Sequence, residues 1–169
     1  MPATLDPALP DDVLEAAETV LELADRGELK LVTAESCTGG LLATLLTDVP
    51  GRSHVFERGF VVYSNDAKCD LLGIARHKVE SCGAVSAEIA REMALGALRN
   101  SRADVALSIT GFAGPAGPDD EEGLVHFACA RRDGKADERE EHFGPIGRQG
   151  VRVAALEAGL SMLTQALEP

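Results

Sequence analysis

Leu29-Lys30-Leu31-Val32-Thr33-Ala34-Glu35-Ser36-Cys37-Thr38-Gly39-Gly40-Leu41-Leu42-Ala43-Thr44-Leu45-Leu46 is the stretch that decides the fold. Leu29 to Ala34 is short and mostly apolar, with β-branched Val32 and Thr33. That is the pattern of a strand buried on both faces. Glu35 to Gly40 is polar and ends in two glycines, as a turn does. Leu41, Leu42, Leu45, Leu46 and Val49 then recur at helical spacing, and Pro50-Gly51 stops the helix. Strand, turn and helix form the first half of a βα unit.

The same alternation extends outward. Upstream, Pro10-Asp11-Asp12 opens a helix with proline at its start and acids in its first turn. Val13, Ala16, Ala17, Val20, Leu21 and Ala24 form its apolar stripe, and Gly27 ends it. Residues 1–10 read as a loose tail, which leaves one domain over 11–169. Downstream, Phe56 to Tyr63 reads as a second strand and Asn65 to Leu72 as a short helix closed by Gly73. Ser86 caps a helix that buries Ile89, Met93 and Ala97 and runs to about Asn100. Val105 to Ile109 is another buried strand. It leads into Thr110-Gly111-Phe112-Ala113-Gly114-Pro115-Ala116-Gly117-Pro118, which neither helix nor strand tolerates. Leu124 to Arg131 and Glu138 to Phe143 flank the hairpin signal Asp133-Gly134. Val151 to Leu167 is a closing helix. The pattern predicts an α/β fold whose sheet is mixed and mostly parallel, carrying one antiparallel element. Ligands of such sheets sit at the carboxyl ends of strands. Two unusual loops leave such ends, at 35–40 and 110–118.

The chain has 169 residues, 16 Lys and Arg against 28 Asp and Glu, and a net charge of −12. A uniformly acidic surface repels phosphate backbones and anionic lipid, so neither a nucleic acid nor a membrane surface is expected as partner. No run approaches the ~18 consecutive apolar residues of a membrane span. The N-terminus has no basic and apolar leader pattern, so the expected compartment is the cytoplasm. Cys37, Cys69, Cys82 and Cys129 show no C-x-x-C pairing and read as free thiols. No histidine falls at ligand spacing with them, so no metal site and no cofactor are expected. With aromatics at 4% and no Trp, the core must be aliphatic.

The first loop puts Ser36, Cys37 and Thr38 where a helix begins, and free backbone N–H groups there favour an anion or a developing oxyanion. Gly39 and Gly40 allow close approach to the backbone; the same residues also serve as ordinary capping residues. The glycines at 111, 114 and 117 match neither a dinucleotide fingerprint nor a P-loop. Lys68 lies one turn inside its helix, either as a solvated charge or as a base. A basic role requires its pKa to move from ~10.4 to near 7, a cost of about 4–5 kcal/mol that burial can impose. Asp119 to Glu122 reads as a solvated loop tip. Arg148 and Arg152, four apart, share one helix face; one of them clamps a phosphate, or both are surface charges.

Thr33-Ala34-Glu35-Ser36-Cys37-Thr38-Gly39-Gly40, Phe56-Glu57-Arg58-Gly59-Phe60 with Tyr63-Ser64-Asn65 and Lys68, Gly83-Ala84-Val85-Ser86, and Thr110-Gly111-Phe112-Ala113-Gly114-Pro115 together resemble the CinA C-terminal family, from about residue 10 to 167. The resemblance implies a single three-layer α/β/α domain. It implies hydrolysis of the carboxamide of nicotinamide mononucleotide to nicotinate mononucleotide and ammonia, in pyridine-nucleotide salvage. It also implies a Ser–Lys dyad: Ser36 as nucleophile, Lys68 as base, and Tyr63 as a helper through hydrogen bonding. Cys37, Thr38, Gly39, Gly40, Asn65, Thr110, Gly111, Gly114 and Arg148 would then contact the substrate. Family members commonly self-associate, so a homo-oligomer is the expectation.

Two departures stand out. Where relatives usually carry Lys-Pro-x-Gly, this chain has Asp120-Glu121-Glu122-Gly123. Where they often read Gly-Asp-Arg, it has Ile146-Gly147-Arg148. The lost Lys-Pro string supports an alternative, a nucleotide-binding or regulatory module without hydrolysis. Cys37 is the rival nucleophile within the enzyme reading. Because a carboxylate beside Lys68 would keep it charged, Glu35 is expected to turn away from the dyad toward backbone N–H groups.

Overall fold

The computed structural model describes residues 9–169. The expected N-terminal tail therefore lies outside the described residues, apart from Leu9 and Pro10. Chain order is α1 (Asp11–Arg26), β1 (Leu31–Glu35), α2 (Leu41–Thr47), β2 (Phe56–Val61), α3 (Asn65–Leu72), α4 (Arg76–Cys82), α5 (Ala87–Arg99), β3 (Val105–Gly111), β4 (Leu124–Arg131), β5 (Ala136–His142) and α6 (Arg148–Leu167). The sheet runs β2-β1-β3-β4-β5.

Strands β2, β1 and β3 are mutually parallel, whereas β4 is antiparallel to both β3 and β5. The sheet is mixed, as the sequence pattern predicts. Its pairings divide evenly, however, two parallel and two antiparallel, rather than being mostly parallel. The expected hairpin at Asp133-Gly134 accounts for β4–β5; the further antiparallel pairing is β3–β4, because the 112–123 loop folds straight back without a crossover helix, which a parallel neighbour would need. Gly134 takes the left-handed conformation, and its N–H donates to the Arg131 carbonyl.

Helices cover both faces, giving three layers. On one face, Leu31, Leu107, Ile109, Val125 and Phe127 pack with α1, α2 and α6. On the other, Val32, Ala34, Ala106, Ala128 and Ala130 pack with α5 and with residues of α3 and α4. The second face is nearly all alanine on the strands, so α5 lies close and an aliphatic core fills without large rings. Two glycines mark the tightest approaches. A Cβ on Gly96 of α5 would come 2.4 Å from the Leu72 carbonyl oxygen, which fixes α3 against α5. A Cβ on Gly159 of α6 would come 2.7 Å from Leu107 of β3, which fixes α6 on the sheet.

The boundaries differ from the sequence reading in instructive places. Strand β1 runs on to Glu35 and β3 to Gly111, past the points where apolar character stops. Helix α6 starts at Arg148, three residues earlier than its apolar pattern. Helix α4 has no periodic signature at all: it buries only Val79. Among the described residues no helix is long and apolar enough to cross a membrane.

Candidate active site

Strand β1 delivers Ser36 directly from its carboxyl end. The Ser36 N–H donates to the Ile109 carbonyl at 2.9 Å, so the turn begins as a continuation of the β1–β3 pairing. Gly39 and Gly40, both at positive φ, then reverse the chain into α2. Opposite Ser36 stands α3. Ser64 caps it, its Oγ accepting the Ala67 N–H at 3.0 Å. One turn on, the Lys68 side chain projects inward and is only 1% exposed.

The Lys68 Nζ lies 3.0 Å from the Ser36 Oγ, 2.9 Å from the Val62 carbonyl oxygen and 3.4 Å from the Tyr63 carbonyl oxygen. No carboxylate pairs with it among the described residues. Burial lowers its pKa below the ordinary lysine value of 10.5, because a desolvated ammonium is penalised. A neutral amine has two N–H donors and one lone pair. The two carbonyls match the two donors, which leaves the lone pair for the Ser36 hydroxyl proton.

Glu35, fully buried, turns away from this pair as expected. One carboxylate oxygen accepts the Thr38 hydroxyl at 2.7 Å and the Leu42 N–H at 2.9 Å, and the other accepts the Ala43 N–H at 3.0 Å. It thereby satisfies the open donors at the start of α2 that no capping side chain reaches. The turn is also held from outside, where Arg152 Nη2 donates to the Thr38 carbonyl at 2.9 Å. The N–H groups of Cys37 and Thr38 donate to no oxygen of the described residues. The Cys37 thiol belongs to the α1–α2–α6 core, and burial pushes its pKa up to about 11. A thiol held protonated there is a poor nucleophile near neutral pH.

A hollow of about 320 Å³ opens over the pair, within the ~300–1,000 Å³ range of small-molecule sites. Ser36, Cys37, Tyr63, Lys68, Thr110, Gly111, Gly114 and Arg148, all named as candidates from the sequence, line it. Thr110 donates its hydroxyl to the Ala84 carbonyl at 2.7 Å, which ties the Gly83–Val85 bend to the wall. Arg148 Nη1 donates to the Gly114 carbonyl at 2.9 Å. Thr38, Gly39 and Gly40 shape the turn from behind and do not reach the wall. Asn65 opens α3 on the exposed side and stands outside the hollow. Tyr63 is 65% exposed and its hydroxyl has no partner among the described residues; it meets Lys68 through its carbonyl. Phe112, Ala84, Val85 and Asp120 also line the wall. Asp120 escaped the sequence reading because an acidic run looks the same whether it is solvated or folded over a site. Among the described residues no three His, Cys, Asp or Glu side chains are arranged to hold a metal ion.

Residues 14–167 match the model of the CinA C-terminal domain. The chain is 42% identical over 156 residues to nicotinamide-nucleotide amidohydrolase PncC of Escherichia coli, covering 91% of this chain and 94% of that one. A CinA-like protein of Chlorobium limicola is 54% identical over 107 residues. That match takes in 63% of this chain but only 24% of the relative, so the chain spans about a quarter of this longer protein. The crystal structure of the competence/damage inducible protein CihA from Agrobacterium tumefaciens superposes with a TM-score of 0.89 at 44% identity, covering 94% of this chain and 97% of that one.

Proposed function

The chain belongs to the CinA C-terminal domain family, and from that premise we propose that it is an amidohydrolase converting nicotinamide mononucleotide and water to nicotinate mononucleotide and ammonia. The observation that carries the reading is the buried Lys68 Nζ, held by two carbonyls 3.0 Å from the Ser36 Oγ. A Ser–Lys dyad works from this arrangement. Neutral Lys68 takes the Ser36 proton as the oxygen attacks the carboxamide carbon. The oxyanion forms beside the start of the Ser36–Gly40 turn, where the Cys37 N–H donates to no backbone carbonyl of the described residues; one such donor is commonly worth ~3–4 kcal/mol. The Lys68 ammonium then protonates the departing nitrogen, and ammonia leaves an acyl ester on Ser36. Water, deprotonated by Lys68, hydrolyses that ester and frees nicotinate mononucleotide. In this scheme Cys37 lines the wall without reacting, and Tyr63 contributes its carbonyl. A role in pyridine-nucleotide salvage follows from the substrate and product.

Ammonia release from nicotinamide mononucleotide, followed beside thermal shift with the same compound, tests the proposal. Stoichiometric ammonia and nicotinate mononucleotide are expected. A thermal shift without ammonia would instead establish the non-hydrolytic binding module that the Asp120-Glu121 replacement suggests.

A further inference from the structure

His142, the last residue of β5, stands between two carboxylates. Its Nδ1 lies 2.6 Å from Glu121 Oε1 and its Nε2 lies 2.7 Å from Glu140 Oε1. A neutral imidazole has one N–H and one lone pair, so it can donate to only one of the two. At the other nitrogen a lone pair would face a carboxylate oxygen. Both contacts are hydrogen bonds only when the ring is protonated. We propose that the His142 imidazolium is a latch that positions the Gly/Pro loop over the site and lets it go when the ring loses its proton.

The latch reaches the site through Glu121. On one side of it in the chain, Asp120 lines the hollow with Ser36 and Lys68. On the other, the Glu122 side chain packs against Gly114 of the wall, where a Cβ would come 2.4 Å from Glu122 Oε1. The base of the loop is held by backbone, the Phe112 N–H donating to the Leu124 carbonyl and the Gly123 N–H to the Phe112 carbonyl. Beyond that base, among the described residues, two side chains from other elements hydrogen-bond to the 113–122 tip. Arg148 of α6 holds the Gly114 carbonyl, and His142 of β5 holds Glu121. Arginine keeps its charge at every working pH, whereas histidine does not.

The groups around His142 favour its charged form. Glu121 faces it from the loop and Glu140 from β5 itself. On β4, His126 stands opposite Glu140, with its Nδ1 3.6 Å from Glu140 Oε2. That ring is buried, and burial lowers its pKa, so it does not take the charge from His142. Glu138, two residues before Glu140 on the same face of β5, pairs with Arg91 of α5. Arg139 and Glu141 pair with each other on the opposite face. The hydrogen bonds to Glu121 and then to Glu140 hold the His142 pKa above its ordinary 6.5. A pKa raised by folding makes the latch fully present below about 6.5, and the latch is lost as pH rises through the folded value.

Two measurements on the protein without substrate test the latch, so its failure stays distinct from that of the amidohydrolase reading. The first follows the His142 ring through a titration by NMR. Its pKa should exceed 6.5 in the wild type and fall toward 6.5 in Glu121→Gln. The second compares protection of the Asp120 and Leu124 amides, both bonded within the loop, against hydrogen exchange. Below the His142 pKa, His142→Gln should lose protection by about two- to fivefold, the worth of an exposed ion pair. Wild-type protection should fall by the same factor from about pH 6 to about pH 9, while His142→Arg holds it constant because guanidinium stays charged. Where the amidohydrolase reading holds, His142→Gln should raise KM for the mononucleotide by a similar factor and act through KM rather than kcat, since an unlatched wall must be ordered on binding. Three results would each overturn the latch. They are a His142 pKa unchanged in Glu121→Gln, amide protection at low pH equal in wild type and His142→Gln, and a KM unmoved in an enzyme that turns the mononucleotide over.

Discussion

The two loops that form the site are built in opposite ways. The turn at 36–40 is packed beneath the sheet edge and pinned from several directions. Glu35 holds it from within, Arg152 from α6, and the Ile109 carbonyl from β3. The loop at 112–123 is largely exposed and held at few points. These are the Arg148–Gly114 hydrogen bond, the Gly123 N–H donated to the Phe112 carbonyl, the Phe112 N–H to the Leu124 carbonyl, the Phe143 N–H to the Gly123 carbonyl, and the ion pair of His142 with Glu121. Reacting atoms need positions fixed to a fraction of an ångström, and buried, fully satisfied polar groups give that rigidity. Recognition of the remote part of a substrate tolerates a looser wall. Under the proposed mechanism, chemistry sits on the rigid loop and selectivity on the more exposed side of the cavity.

That contrast is open to test, beginning with the rigid loop. Ser36→Ala should fold normally and lose about 10⁴-fold or more in kcat, because a methyl cannot attack. The matching Cys37→Ser should retain activity, and the opposite pair of results would move the nucleophile to the thiol. Steady-state ammonia release reads both.

Lys68→Arg should cost about 10³-fold, since guanidinium keeps the charge but cannot act as a base. In the wild type kcat/KM should rise with pH through an apparent pKa below 10.5, between about 6.5 and 9. Stability should carry the same signature. The folded pKa lies below the unfolded one, so between the two values the unfolded chain binds the extra proton. Wild-type stability should therefore gain on Lys68→Met as pH rises toward 10.5. A constant difference across that range, measured by urea unfolding, would mean that Lys68 is solvated.

Glu35→Gln is smaller again. It turns an amide N–H₂ toward either the Leu42 or the Ala43 donor and should lower stability by about 1–3 kcal/mol. Activity should fall with it, through kcat more than KM, because the nucleophile turn loosens. On the other loop, Asp120→Asn should change only KM. Removing an exposed negative charge near an anionic ligand should lower KM for the mononucleotide by about twofold, an effect that fades by about 0.5 M salt. An Asp120→Asn effect on kcat larger than that of Glu35→Gln would dissolve the division between the loops.

Much was legible from the residues alone. Leu29 to Leu46 announces a strand, a turn and a helix because periodicity of two kinds meets at a pair of glycines. Asp133-Gly134 announces the hairpin because left-handed backbone is required there. Ser36 and Lys68 could be named from the motifs that resemble the family, and Glu35 could be turned away from Lys68 on electrostatic grounds alone. Tertiary structure decided the rest. Thirty-two residues separate Lys68 from Ser36, and only the close fit of α3 on α5, through Gly96, seats the amine in the dry space that lowers its pKa. Asp120 could be placed on a cavity wall, Asn65 outside it and Arg152 beneath the nucleophile turn only by folding. Burial and electrostatics depend on distances through space, whereas sequence records distances along the chain.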